Sequence, residues 1–490
     1  MKNQTSTRDF PQWLHRLVPM GPRSVSSLLA KVRPATLAQI ETHLGPFLPT
    51  RLFPPSNSGP YSRERIFTLS RTFWCFLWQM LQGNTALREV VRQVQALFQL
   101  QNGPAVDEDT GGYSQARSKL PLSVLEKALG ATAQAATERA PNSGLLGGRP
   151  VKVVDGSSVR LADTPANQRI FPQRQNQTPG CGFPILRVVV LFCAASGAIL
   201  ARRIGSFAKS EAKLFSALFQ QLKARDIVIG DRYYANFTML ALFAGRGIDF
   251  VGRVAAGSRR VDFRRAQRLG KNDGLFVWRK NSALARWLSA RVRASLPLSL
   301  TVRIVRVQTR QKGFRSRSLI LVTTLLDPKI YSADEIAKAY LRRWRLEMCL
   351  DDLKTTLHLA HLKCLTPKMA NKELLMGLIA HNLLRCVMAQ AAQEHAVELD
   401  RISLKGSMDT LRQFSSAAAQ AKSAKKRREL WDLLLKTIAV DLVPERPGRR
   451  EPRAVKLVSK YPKLTRPRHL QKDRPPRTVR RSLSKSPRAI

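Results

Sequence analysis

Tyr340, Arg343, Glu347 and Lys354 fall in one stretch, AYLRRWRLEMCLDDLKTTLHL at residues 339–359, which contains neither Pro nor Gly. The pattern predicts a single amphipathic helix of about five turns. At about 100° per residue the four side chains share an arc of about 60°. That face would carry one acid, two bases and a phenol, where a core-facing stripe would be apolar. It is therefore expected to look outward, toward something charged. Two further carboxylates stand upstream: Asp155 in VKVVDGSSVRL and Asp231 in DIVIGD, each expected at the end of a strand. Carboxylates carried on separate elements suit two-metal phosphodiester cleavage. They hold two cations about 3.5–4 Å apart, one activating the nucleophile and one stabilising the leaving oxygen. Such hard oxygen donors favour Mg²⁺ or Mn²⁺.

The elements that would position these groups can be followed along the chain. Residues 62–101 are helical in pattern, with the apolar block FWCFLWQML followed by LREVVRQVQALF. That block reads as a buried helix, while Arg71, Arg88, Arg92, Arg117 and Lys119 could meet phosphates on its surface. After GLLGGRP the character changes. VKVVDGSSVRL, FPILRVVVLFCA and ILARRIGSF read as three strands, the last two joined by the turn ASGA. SEAKLFSALFQQLKARD reads as a helix with Ser210 as N-cap and Glu211 in its first turn. DIVIGD is a further strand, a helix runs from about Asn236 to Ala244, and DFVGRV is the next strand. A meander followed by helix, strand, helix and strand indicates a mixed α/β sheet. LFVWRK, LTVRIVRVQTR and RSLILVTTLL are strands in a basic, β-rich segment. Ser332 and Glu335 then form a capping-box pattern ahead of the charged helix, and residues 370–440 are again helical.

Composition bounds the class. At 490 residues the chain is too long for one simple core, and two to four domains are expected. Its 83 Lys and Arg against 34 Asp and Glu give a net charge of +49 and a pI near 11.3. An excess of that size points to a polyanionic partner, with nucleic acid first. No signal peptide, transmembrane span or lipidation pattern is read, so no membrane partner is expected. The six cysteines, at 75, 181, 193, 349, 364 and 386, form no CxxC pair and no Cys/His cluster. That argues against zinc or a disulfide framework and fits a reducing, cytoplasmic compartment.

Tyr340, Arg343, Glu347 and Lys354 match, without a gap, the Y-(2)-R-(3)-E-(6)-K signature, and RRWRLEMCLDDLKTTL surrounds it. With VKVVDGSSVRLADT, PGCGFPILRVVVLF and DIVIGDRYY upstream, the chain resembles bacterial insertion-sequence transposases of the DDE type, over roughly residues 62–465. The resemblance implies an RNase H-like mixed sheet flanked by helices. A β-rich insertion would interrupt it before the last catalytic helix, with an all-helical N-terminal domain and a helical C-terminal region. The implied division is a DNA-binding domain at 1–145 and a catalytic core at 146–254 and 329–366. The insertion would occupy 255–328, the helical region 367–442 and a basic disordered tail 443–490. Asp155, Asp231 and Glu347 would be the catalytic, metal-binding triad for two Mg²⁺ or Mn²⁺ ions. Arg343, Lys354, Tyr340 and Arg253 would contact DNA phosphates. The partners implied are double-stranded DNA, as terminal inverted repeats and target, and a second copy in a DNA-bridged homodimer. The setting implied is bacterial and nucleoid-associated. Where relatives carry a base-stacking tryptophan before the final helix, this chain has Leu319; Trp278 and Trp287 lie earlier, and the hairpin route is left open. Tyr233 stands where many relatives have Gly or Ala.

Each residue also has an ordinary reading. Asp-Gly at 155–156 is commonly a turn. Glu347 could merely pair with Arg343 on a solvated face, and Asp351 would share that face as surface charge. His358, His361 and His381 lack metal-ligand spacing and read as core or surface, and Trp344 reads as helix packing. Two other functions compete: a non-catalytic DNA-binding protein, and a metal-dependent nuclease without strand transfer.

Overall fold

The computed structural model describes residues 40–53, 61, 66–100, 103–140, 145–254, 261–280, 287–308, 318–421 and 423–444. Residues 1–39 and the basic tail from residue 445 onward lie outside the described residues.

Four helices come first: α1 (Leu69–Leu81), α2 (Leu87–Leu100), α3 (Gly111–Lys119) and α4 (Leu122–Glu138). Thr68 caps α1 by accepting from Arg71 N, and ten of its residues, from Thr72 to Leu81, are buried. The apolar block is thus a core helix. Arg117 departs from the surface role expected of it. It is 5% exposed, with its guanidinium 4.1 Å from the centre of the Phe76 ring.

The sheet contains β1 (Leu145–Leu146), β2 (Arg149–Leu161), β3 (Ile185–Cys193), β4 (Ile199–Ser206), β5 (Ile227–Gly230) and β6 (Asp249–Arg253). It continues through β7 (Gln267–Gly270), β8 (Asp273–Arg279), β9 (Ser299–Gln308) and β10 (Ser318–Thr323), and ends at β11 (His361–Leu362). Its order is β4-β3-β2-β5-β6-β10-β9-β8-β7, with β2, β5 and β6 parallel and the outer pairs antiparallel. The strands of the β-rich segment therefore extend the central sheet through β10 and β6. Short helices α5 (Pro165–Ile170), α6 (Glu211–Ser216), α7 (Phe237–Ala244) and α8 (Ala290–Ser295) connect the strands. Several differ from the pattern reading, α5 among them. The helix at 210–226 stops at Ser216 and resumes as a 3₁₀ turn at Phe219–Gln221, and β7 and α8 had no clear signal. Ser210 and Asn236 cap α6 and α7 as expected.

Alternation along β2 builds two cores. Val151, Val153, Val159 and Leu161 face one core shared with the helices named above and below, while Val154 faces a second with Val189, Val228, Phe215 and Tyr234. Helix α9 (Ala333–Thr355), with its Ser332–Glu335 capping box, lies on the first face against β1, β2, β5, β6 and β9. It stops four residues before the end of the stretch read as helix, and His358 follows with φ +54°. Helices α10 (Pro367–Glu394), α11 (Leu404–Gln420) and α12 (Ala424–Val440) complete the fold. α10 is long and apolar enough to cross a membrane, yet 94% of its most apolar window is buried inside the protein. It is a core helix. Two of its buried polar side chains reach the sheet's edge turn: His381 Nε2 lies 3.0 Å from Gly197 O, and Asn382 Oδ1 accepts from Ile199 N. Burial pulls the His381 pKa down to about 4. His358 and His361 are exposed.

Candidate active site

Strand register decides where the two aspartates meet. In the parallel pair β2–β5, Val153 stands opposite Ile229. Two residues further on, the same register sets Asp155 level with Asp231, just past the end of β5. Neighbouring strands lie about 4.8 Å apart. Asp155 is thus in the middle of a 13-residue strand rather than at its end, and the Asp-Gly pair is not a turn. In the next parallel pair Gly230 stands opposite Gly252, which brings Arg253 level with Asp231. The chain leaves β5 in a tight turn in which Tyr233 N donates to Asp231 Oδ1 over 2.9 Å.

Helix α9 crosses this row. Tyr340 feels the charges of Arg343, Arg253 and Asp231, while Asp155 feels those of Glu347, Arg343 and Asp231. The helix therefore brings its Tyr340 end to β5 and β6 and its Glu347 region to β2. Lys354, about 10 Å further along the axis at 1.5 Å per residue, borders a cleft with Ser157 of β2. All seven residues singled out in the sequence gather on one edge of the sheet.

The charged face of α9 does not look outward as expected. Tyr340 is 2% and Arg343 6% exposed, and Glu347 is half-buried. Arg343 donates to the Glu347 carboxylate, and its guanidinium lies 5.4 Å from the centre of the Tyr340 ring. Arg343 Nε has no hydrogen-bond partner. Trp344 is 38% exposed, beside Met348 at 52%, with the Arg343 guanidinium 5.9 Å from its ring centre. Asp351 is exposed, as expected of surface charge.

The Asp155 carboxyl is strongly perturbed. Burial first, then Glu347 and Asp231, push its pKa up to about 6, against the stabilising Gly156 N–H and Arg343. Two acids escaped the sequence reading. Asp352 is raised to about 6 by burial and by Asp351. Glu211 comes over β2 from the opposite face, where a Cβ on Gly156 would lie 2.5 Å from its carboxyl carbon. The only sequence signal was a glycine inside a strand. Among the described residues, no three Asp, Glu, His or Cys side chains close around a ready metal cage.

Leu319, at the position of the stacking tryptophan, is 3% exposed in the core under β10. Trp278 and Trp287 pack half-buried against the second core.

Three carboxylates and four cationic or phenolic groups gathered where the parallel pairing of β2, β5 and β6 runs out form a site suited to phosphodiester chemistry. The family described as "Transposase DDE domain" matches residues 146–383, a span that includes both aspartates and the α9 helix. Over that span the chain is similar to the DDE transposases, which are polynucleotidyl transferases. It is similar to "Transposase InsG for insertion sequence element IS4" of Escherichia coli (strain K12), at 25% identity over 363 residues, 73% of this chain and 78% of that protein. Among solved structures, a piggyBac transposase synaptic complex with hairpin DNA aligns over 84% of this chain and 85% of that one. The TM-score is 0.39 and the identity 10%.

Proposed function

We infer that this chain cuts the ends of its own insertion element and joins the freed 3′-OH ends to target DNA. The observation that carries the reading is the shared register of Asp155 and Asp231 beneath the helix that bears Glu347. In this reading the β2–β5–β6 unit is an RNase H-like core, split into 146–254 and 329–366 by the β-rich segment 255–328. Residues 1–145 bind the element's ends, 367–442 buttress the core, and the tail 443–490 binds the DNA polyanion. The protein works in a bacterial cytoplasm at the nucleoid, as a homodimer bridged by the two element ends.

Asp155, Asp231 and Glu347 would hold two Mg²⁺ or Mn²⁺ ions. The residues fit: every donor is a hard carboxylate oxygen, and Asp155 sits among like charges that a cation would relieve. Bound there, the ions would supply Lewis-acid activation of the attacking oxygen and stabilisation of the leaving one. The chain's own groups do the rest. Arg343 and Lys354 grip phosphates through charge-assisted hydrogen bonds, Tyr340 and Arg253 hold the neighbouring backbone, and the buried sheet edge fixes the geometry. Water attacks the phosphorus at the element's 3′ end, and the bond to the 3′ oxygen breaks, leaving a 3′-OH. That hydroxyl then attacks a target phosphodiester in line, forming one P–O bond as another breaks and freeing a target 3′-OH. The enzyme itself forms no covalent bond.

Asp155→Ala, Asp231→Ala and Glu347→Ala should each abolish divalent-dependent end cleavage, a greater loss than the roughly 10–100-fold typical of an outer-shell partner. Retained cleavage in all three would overturn the assignment. Supplying a precut 3′-OH end separates a transposase from a simple nuclease, because only the former joins it to target.

A further inference from the structure

We propose that Asp400 is a positioning residue for the reaction: through Arg342 and Arg345 it fixes the rotation of α9 that aims Arg343 and Glu347 at the sheet. The proposal rests on the functional reading above.

Asp400 lies in a 3₁₀ turn, Leu399–Arg401, between α10 and α11, with Leu399 buried beside it. Its side chain is 11% exposed and gathers three guanidinium groups. Arg342 Nη2 donates to Oδ2 over 3.1 Å and Arg345 Nη1 to the same oxygen over 2.9 Å. Arg385 Nη2, from α10, stands 3.9 Å from Oδ1. Arg385 is itself tied to the sheet, its Nε donating over 2.6 Å to Ser196 O in the turn between β3 and β4. Gly197 permits that approach, since a Cβ there would lie 2.8 Å from Arg385 Nη2. One carboxylate thus links the β3–β4 turn, α10 and α9.

At about 100° per residue, Arg342 and Arg345 lie about 140° and 160° around α9 from Glu347. The clamp therefore grips the back of the helix whose front carries the site. That stretch has little apolar burial to hold it. Between Ala337 and Leu346 the only buried residues of α9 are Tyr340 and Arg343, and both belong to the site. Across the site Glu347 and Asp155 repel, which favours rolling the helix away from the strands. A plain surface ion pair would add little, and Arg345, at 46% exposed, would be one if it stood alone. It does not stand alone. The carboxylate it shares is mostly buried and is joined through Arg385, 5% exposed, to the sheet that holds Asp155.

The test compares full-length wild type, Asp400→Asn and Asp400→Glu by hydrogen exchange without DNA and by end-cleavage kinetics. Asp400→Asn keeps the shape and removes the charge, so α9 amides around Arg342–Leu350 should exchange about tenfold faster or more, while those of α10 and the central strands do not. Its kcat for end cleavage should fall by about 10–100-fold, the range of an outer-shell partner, with the KM for end DNA little changed. Asp400→Glu, which restores the charge, should recover most of both losses. An unchanged kcat in Asp400→Asn overturns the proposal, as does faster exchange spread evenly over the whole chain, because either result leaves Asp400 a merely structural residue. Wild type without end cleavage would overturn the functional reading instead, and the exchange of α9 alone would then decide whether the clamp holds the helix. Should Asp400→Asn fail to fold, Arg345→Gln alters only an exposed side chain, and it should shift α9 exchange and kcat in the same directions by a smaller factor. No shift in either would overturn the clamp.

Discussion

Two carboxylates, the buried Glu373 and the half-buried Asp155, show opposite ways of handling charge. Glu373 in α10 is 1% exposed and surrounded by donors: Asn84 Nδ2 at 2.6 Å, Lys363 N at 3.1 Å and Cys364 N at 3.0 Å. Beside it Lys372 donates to Arg117 O and Ser118 O, at the end of α3. These contacts tie the N-terminal helices to the segment that follows α9, and nothing is left for a ligand to supply. Asp155 is surrounded instead by Glu347 and Asp231, with Arg343 the one nearby cation acting on it. The first arrangement is complete without a ligand, whereas the second is relieved by a cation. Local conflict of this kind is expected where function, rather than folding, has set the residues.

The comparison is broken most directly at Glu373. Glu373→Ala would leave the Asn84 amide and the Lys363 and Cys364 N–H groups buried without an acceptor. Removing one side of a buried charged network costs about 3–5 kcal/mol, a large share of a domain's stability. Denaturant titration should show the midpoint falling accordingly. A loss under about 0.5 kcal/mol, the range of ordinary surface changes, would mean that α10 and the N-terminal helices are held by their apolar contacts alone.

What the sequence made legible differs between the two regions. Strand and helix identities near Asp231, Arg253 and α9 follow from short apolar runs, Asn and Ser caps and an unbroken helical period, and the site residues came together as their spacing suggested. The orientation of α9 did not. A charged stripe has the same periodicity whether it faces water or faces other charged side chains, so the buried Arg343 and Tyr340 could not be told from solvated ones. Asp-Gly is a common turn, which puts Asp155 at a strand end in the sequence reading; only the pairing of β2 with β3 and β11 carries the strand on to Leu161. Glu211 was invisible because its partner is an absent side chain on a distant strand. Glu373 and Lys372 were equally hidden, since their acceptors and donors are backbone groups far away in sequence.

A pH series sharpens the comparison from the Asp155 side. Its carboxyl moves from an ordinary 3.8 to about 6 in the fold. A carboxyl that binds its proton more tightly when folded contributes stability fully below its unfolded pKa, and that contribution is lost as the pH rises through the folded value. Between about pH 4 and pH 7 the metal-free protein should lose on the order of 2 kcal/mol through this group. Asp155→Asn, which has no proton to lose, should gain stability relative to wild type across that window. Unfolding curves for the two proteins in a chelator, taken at intervals of pH, measure the difference directly, and groups such as Asp352 cancel because both proteins carry them. Parallel curves would show that Asp155 is not crowded by its neighbours.

The smallest effect expected is at Trp344. A tryptophan buried in packing costs about 3–5 kcal/mol when cut to alanine. Trp344 is 38% exposed on α9, one turn from Met348 and adjacent to Arg343. Trp344→Ala should therefore shift stability by no more than about 1 kcal/mol, a modest change of the kind made away from cores. Binding of element-end DNA should respond instead, because a ring beside the carboxylates can stack on a base, a contact worth about 1–3 kcal/mol. Thermal unfolding and DNA titration on the same variant separate the two roles. A large fall in stability with unchanged DNA affinity would return Trp344 to the packing role, and the outward side of α9 would then offer DNA only its charges.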